Sequence, residues 1–222
     1  MITFHPQPDE HGAPVRLAHP STPTAIGTWH DHASIATVTP LSALPPSLND
    51  APFAPWLNIP LSTADWQTVA GQAAIDEPPF VAPAGFAPAA GVVVVEDDGR
   101  VWAVAPSNRF GGYDATFPKG RVDPDISLQA TAIREAFEES GLRVQIVRYL
   151  IDCRRTQTMT RYYLARRLGG NPALMGWESQ AVHLVPLALL KTVLNHPNDG
   201  VIIDALRRLP GSETGATTAS AK

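Results

Sequence analysis

The run from Asp125 to Gly141, D-I-S-L-Q-A-T-A-I-R-E-A-F-E-E-S-G, constrains the chain more than any other. It reads as a helix over 127–140. Asp125 or Ser127 can cap its start, and Gly141 is placed to end it. At about 100° per residue, Leu128, Ala132, Ile133, Ala136 and Phe137 form one broad apolar face. Glu135, Glu138 and Glu139 fall beside that face, so the helix can bury one side and offer its acids to a cleft. Carboxylates three and four residues apart repel by about a few tenths of a kcal/mol per pair. Packing has no use for such crowding. A hard cation with oxygen ligands, Mg²⁺ or Mn²⁺, gives it a reason. The plainer reading, a solvated acidic face, would serve for an arbitrary acidic segment.

Here the helix has a fixed context. The preceding loop, Phe117-Pro118-Lys119-Gly120-Arg121-Val122-Asp123-Pro124, carries Gly and Pro at turn positions. Lys119 and Arg121 beside an acidic metal site suit a phosphate-rich substrate. The stretch Gly120–Leu142 resembles a Nudix box: Gly, five residues, Glu, seven residues, Arg-Glu-aliphatic-x-Glu-Glu-x-Gly-aliphatic. Gly120, Arg134, Glu135, Ala136, Glu138, Glu139, Gly141 and Leu142 match in register. Flanking strand patterns extend the likeness to roughly Ala89–Leu209. One position departs, because Ile126 stands where the pattern has its first glutamate, with Asp125 next to it. In the family that glutamate usually supports the loop and pairs with the box arginine. Asp125 could substitute for it at Arg134 if the loop shifts by one residue.

The resemblance implies an α/β fold, a Nudix-type α/β/α sandwich with a mixed sheet. It implies Mg²⁺- or Mn²⁺-dependent hydrolysis of a pyrophosphate bond in a nucleoside diphosphate linked to another group. Dinucleoside polyphosphates, nucleoside triphosphates and nucleotide sugars are the candidate substrates. Glu135, Glu138, Glu139 and the Lys119 backbone carbonyl would hold the metal. The base would be one of these glutamates or Glu178, in the loop Met175–Gln180. Lys119, Arg121 and Arg109 are candidate phosphate contacts, and Tyr113, with Phe110 and Trp177, is a candidate for stacking on a base. Gly120, Arg134 and Gly141 would be structural. Ile126 supports a second reading, a catalytically weakened Nudix-fold module that binds a nucleotide and regulates.

Charge and proline divide the chain at the same place. Residues 1–88 carry net charge −6 and fifteen of the 22 prolines, whereas the remainder is +2 despite its acidic helix. The sequence therefore predicts a small Pro-rich N-terminal domain and linker over 1–88, a Nudix domain over 89–210 and a disordered tail over 211–222. In the first part, Thr28–Thr39 reads as a strand or hairpin and Ser62–Ile75 as a helix capped by Ser62; Pro78–Pro88 reads as the linker. In the second, Gly91–Glu96 and Val101–Ala105 flank a hairpin signal at Asp97-Asp98-Gly99. Thr116–Lys119, Arg143–Cys153, Thr160–Arg167 and Ala181–Val185 read as strands, and Leu187–Asn195 and Asn198–Leu209 as closing helices. Arg109, Arg154, Arg155, Arg161, Arg166 and Arg167 are available to line a polyphosphate pocket.

Several classes are disfavoured. No run of about 18 apolar residues spans a membrane, and no basic stripe with interleaved aromatics argues for nucleic-acid binding. The N-terminus lacks signal-peptide character. Cys153 is the single cysteine, which fits a reducing cytoplasm and a buried small hydrophobe. His30 and His32 share a strand face without a third ligand and read as surface or hydrogen-bonded histidines. The expected partner is a small-molecule nucleotide, with a homodimer left open.

Overall fold

The computed structural model describes residues 2–209; the expected tail at 211–222 lies outside them. In chain order the strands are β1 (Thr3–Phe4), β2 (Arg16–Leu17), β3 (Ala36–Val38), β4 (Ser47–Leu48), β5 (Ala51–Pro52), β6 (Ala87–Val94), β7 (Arg100–Pro106), β8 (Lys119–Arg121), β9 (Leu142–Arg154), β10 (Thr158–Gly170) and β11 (Ser179–Pro186). The helices are α1 (Thr63–Gln67), α2 (Leu128–Ser140), α3 (Leu190–Val193) and α4 (Pro197–Arg207).

The acidic helix α2 forms where its caps put it. The Ser127 hydroxyl accepts the Ala130 N–H at 3.1 Å. At the other end Gly141 turns left-handed, φ 68°, and its N–H donates to the Phe137 carbonyl. A Cβ there would lie 2.4 Å from the Asn171 carbonyl oxygen, so glycine is demanded by both conformation and space. Ser127→Ala should cost about 1 kcal/mol, the usual worth of such a cap, read as a lower midpoint in urea.

Alternation along the strands builds two apolar layers. Val92 and Val94 of β6, Trp102 and Val104 of β7, and Tyr163 and Ala165 of β10 share one core with Ile133 and Ala136 of α2, both wholly buried. Val93, Val101, Ala103 and Tyr162 face the opposite way and meet Ile202, Ile203 and Leu206 of α4. Burying each of the larger side chains contributes about 1.5–3 kcal/mol. One sheet has the order β8-β6-β10-β9, with β10 parallel to β6 and the other pairs antiparallel. The other, β3-β11-β7, is antiparallel. The result is the expected α/β/α sandwich with a mixed sheet.

The expected hairpin at Asp97-Asp98-Gly99 is only a turn. Glu96 N–H donates to the Arg100 carbonyl and Val95 bridges Val101, but β6 and β7 then part into different sheets. Each has a better partner, β10 for β6 and β11 for β7. The strand expected at Thr116–Lys119 shrinks to a bridge between Thr116 and Val104, and regular pairing starts at Lys119. The last two helices are shorter than expected, a 3₁₀ turn at Leu187–Leu189 running into α3, then α4.

Residues before Ala89 enter the same core. Strand β3 pairs with β11, Val38 opposite Val182. Trp29 is fully buried beside Trp102 and Phe53, and Trp56 meets Phe137 of α2 edge-on at 5.3 Å. Of the strand or hairpin expected at Thr28–Thr39, Ala36–Val38 is strand, whereas its start lies in a 3₁₀ turn, Ile26–His30, and Asp31 then turns the chain by accepting from Ala33 N–H and Ser34 Oγ. The helix expected at Ser62–Ile75 keeps its capping box but stops after Gln67. Gly71 has φ 109° and its carbonyl accepts the Ile146 N–H, drawing the chain onto β9. Residues 78–86 run irregularly up to β6, which takes in the end of the expected linker, and the Pro78 carbonyl is held by the Arg161 guanidinium. No helix among the described residues is long and apolar enough to cross a membrane.

Candidate active site

Helix α2, strand β8 and the loop before β11 bring the acids together. Glu135 and Glu139 are nearly buried, 7% and 6% exposed, whereas the Glu138 side chain is 53% exposed. Gly120 of β8 lies flat on Glu135, and a Cβ there would fall 2.2 Å from the carboxyl group. Glycine at this position lets strand and carboxylate share the space. The Lys119 N–H donates to Glu139 Oε1 at 3.3 Å. On the other side the Gly176 N–H donates to the Glu138 carbonyl, and Ser107 N–H to the Glu178 carbonyl. These bonds pin the Glu178 loop against the end of α2.

The electrostatics agree with this closeness. Burial lifts all four carboxyls above their ordinary range. Glu135 is raised well above 4.5 by burial and then by its neighbours Glu139 and Glu138. Glu139 is pushed up to about 7 by burial, helped by Glu178 and Glu138 and opposed by Lys119. Burial also raises Glu138, against the pull of Arg134, and raises Glu178, against Lys119. The negative charges on Glu135, Glu138, Glu139 and Glu178 thus face two cations, Lys119 and Arg134. Such an undercompensated set of hard oxygens fits a divalent cation. No group of three acid, imidazole or thiolate side chains among the described residues is placed to hold a metal ion. An ion that retains several waters does not require one.

A pH signature follows. Glu139 titrates near 4.5 when unfolded and about 7 when folded, so between those values the folded chain holds the extra proton. Its contribution is full below pH 4.5 and is lost as pH rises through about 7. Metal-free protein should therefore melt higher at pH 5 relative to pH 8 than the Glu139→Gln variant does, as differential scanning calorimetry of both would record.

Arg134 answers the question posed by Ile126. Its Nη1 pairs with Asp123 Oδ2 at 2.8 Å, while Nη2 lies 3.6 Å from Glu135 and Nε 3.8 Å from Glu138. The expected substitute, Asp125, is not the partner: it sits exposed in a left-handed turn, φ 66°. Ile126 is buried in the core, so the loop spends that position on packing and reaches Arg134 from Asp123 instead. Asp123→Ala should raise the metal concentration needed for half-maximal activity by about tenfold, the low end for residues that orient metal ligands, with the melting temperature little changed.

Other sequence candidates lie apart from the acids. Arg121 bonds Gln157 at 3.3 Å on the exposed end of β8. Arg109 pairs with Asp114 at 3.0 Å. Tyr113 stacks on His196, centroids 4.1 Å apart, and its hydroxyl accepts from Asn198. Of the six arginines offered for a polyphosphate pocket, three are buried in ion pairs: Arg155 with Asp199, Arg161 with Asp152 and Glu77, and Arg167 with Glu96. Arg166 bonds Gln145, and Arg154 lies 4.1 Å over the Phe86 ring. A buried arginine needs an acid, and each of the three has found one from a distant segment. His32 lies exposed near Asp98, in keeping with a surface histidine.

The family model for the NUDIX domain matches residues 85–206. The chain belongs to the Nudix family. Among curated relatives, the RNA pyrophosphohydrolases of Pectobacterium carotovorum and Escherichia coli are each 38% identical over 99 residues, 44% of this Nudix chain and 49% of theirs. The chain thus spans about half the length of the curated relatives it matches. Among solved structures, the Ap4A hydrolase of C. elegans in a binary complex gives a TM-score of 0.46 at 21% identity, covering 53% of this chain and 94% of that one. A NUDIX hydrolase from Nitrosomonas europaea gives 0.48 at 15% identity, covering 55% and 88%.

Proposed function

We propose that the protein is a divalent-metal-dependent pyrophosphohydrolase that cleaves a nucleoside diphosphate linked to another group. The observation that carries this is the undercompensated pair of buried carboxyls, Glu135 and Glu139, with Lys119 and the exposed Glu178 beside Glu139. Glu135, Glu138, Glu139 and the Lys119 carbonyl would hold Mg²⁺ or Mn²⁺, which supplies Lewis-acid neutralisation of phosphate oxygens and a more acidic water. Lys119 adds charge to the same phosphates and Arg134 orients Glu135 and Glu138. Glu178, raised by burial and fixed through Ser107, is the candidate to take the proton from the attacking water at its carboxylate oxygen. The Asp123–Arg134 pair favours turnover over the weakened binding module that Ile126 suggests.

Product release from ADP-ribose, diadenosine tetraphosphate, nucleoside triphosphates and a 5′-triphosphorylated oligonucleotide, read by chromatography of the nucleotide, sugar phosphate or pyrophosphate formed, with Mg²⁺, Mn²⁺ or EDTA, tests the reading. The oligonucleotide belongs on the panel because RNA pyrophosphohydrolases are among the relatives. Metal-dependent release from one of these supports the proposal. Tight nucleotide binding without release would favour the module, and neither would sink both.

A further inference from the structure

The family model starts at residue 85, yet a segment well ahead of it is bonded to both flanks of the Glu178 loop. Strand β2 and the residues just after it supply the bonds. The Asn108 carboxamide donates through Nδ2 to the Arg16 carbonyl and accepts the Ala18 N–H through Oδ1, each at 2.7 Å. It meets the edge of β2 as the backbone of another strand would. On the other flank the Ser21 N–H donates to Gln180 Oε1 at 2.9 Å. Between these anchors sits the buried Ser107. Its N–H donates to the Glu178 carbonyl and its hydroxyl to the Trp177 carbonyl, both at 2.7 Å. The near end of the loop is fixed to α2, where Gly176 N–H donates to the Glu138 carbonyl at 2.8 Å. Glu178 follows Gly176 by two residues, so their Cα atoms are at most about 7 Å apart. The turn presenting Ser107 is imposed by its surroundings. Asn108 and Arg109 follow one another in the left-handed region, φ 57° and 55°. Side chains other than glycine hold that conformation only where contacts demand it. Here the bonds to β2 and the Arg109–Asp114 pair demand it.

Resting on the reading of Glu178 as the base, we infer that Ser107 and Asn108 form a clamp on its loop. Ser107 is a positioning residue for the hydrolysis, and Asn108 ties it to strand β2. Residues 16–18 are then part of the catalytic apparatus and not an appendage to it. A general base acts only within hydrogen-bond reach of the water it deprotonates. Bonds to two consecutive carbonyls fix the backbone from which the Glu178 side chain reaches, and a misplacement of about 1 Å can cost a rate on the order of 100-fold.

The test measures kcat, KM and the Mg²⁺ requirement on ADP-ribose, diadenosine tetraphosphate, ATP and a 5′-triphosphorylated oligonucleotide. Ser107→Ala keeps the N–H bond to Glu178 and loses the hydroxyl bond to Trp177. Its kcat should fall about tenfold, part of the roughly 10²–10⁴-fold that a positioned base contributes, with KM and the Mg²⁺ requirement near the parent's. Ser107→Thr restores the hydroxyl and should recover most of the rate. Asn108→Gly keeps the left-handed turn without strain and removes only the tie to β2. It should lower kcat about threefold, the smaller share of exposed bonds, and speed hydrogen exchange at the Gly176 and Ser179 amides. Adding Ser107→Ala to Glu178→Gln should cost nothing further, because the group being positioned is already gone, whereas a merely structural role would multiply the two losses. Ser107→Ala within about twofold of the parent, a loss that Ser107→Thr fails to restore, or multiplied losses in the double variant would overturn the clamp and leave Glu178 as the base. Asn108→Gly at the parent's rate and exchange would overturn the tie to β2. Glu178→Gln at the parent's rate would remove the base and the clamp with it. No turnover of any of the four substrates by the parent would overturn the catalytic reading as well.

Discussion

Glu139→Gln is expected to slow product release at saturating Mg²⁺ by at least about 100-fold, the scale for removing one preorganised charged group from a water-poor site. The substitution keeps shape and an acceptor for the Lys119 N–H, but deletes the negative charge that a cation would meet. The same change should raise the melting temperature of the metal-free protein at pH 8, because it removes a buried carboxylate repelled by Glu138 and Glu178. Loss of activity together with a gain of stability would separate a functional charge from a structural one. A rate only two- or threefold lower would remove Glu139 from the metal set.

The acid cluster was legible because its signals are local. Caps at Ser127 and Gly141, a 3.6-residue apolar period and the register of Gly120 with Arg134-Glu135 all lie within one short segment. What the sequence concealed was long-range. Arg161 pairs with Glu77 across 84 positions, Arg167 with Glu96 across 71 and Arg155 with Asp199 across 44, so three arginines that looked free to meet phosphate are committed to the core. The parting of β6 and β7 depends on β10 and β11, which come much later in the chain. The short α1 is set by Gly71 answering Ile146, not by its own propensity. Asp123 lay in plain view three residues after Gly120. It went unread because the pattern directs attention to Ile126 and its neighbour Asp125, and only the loop's path decides which acid reaches Arg134.

The largest loss of stability is expected from Asp199→Ala. The Arg155 guanidinium is 4% exposed and gives Nη1 to Asp199 Oδ1 and to the Tyr162 hydroxyl, each at 2.9 Å. Thr116 Oγ1 also donates to Asp199 Oδ1, at 3.2 Å, so the first turn of α4 is tied to the segment leading into Lys119. Removing the acid strands a buried cation, at a cost of about 3–5 kcal/mol, or roughly 6–20 °C in melting temperature for a chain of this size. Replacing both partners, Arg155→Met with Asp199→Ala, should recover much of that loss, because the penalty belongs to the orphaned charge and not to the missing attraction. Calorimetric melts of the two single variants and the double variant would measure the coupling. If the double variant melted as low as Asp199→Ala alone, the pair would be holding α4 by geometry rather than by charge, and the drop would belong to the lost Thr116 contact.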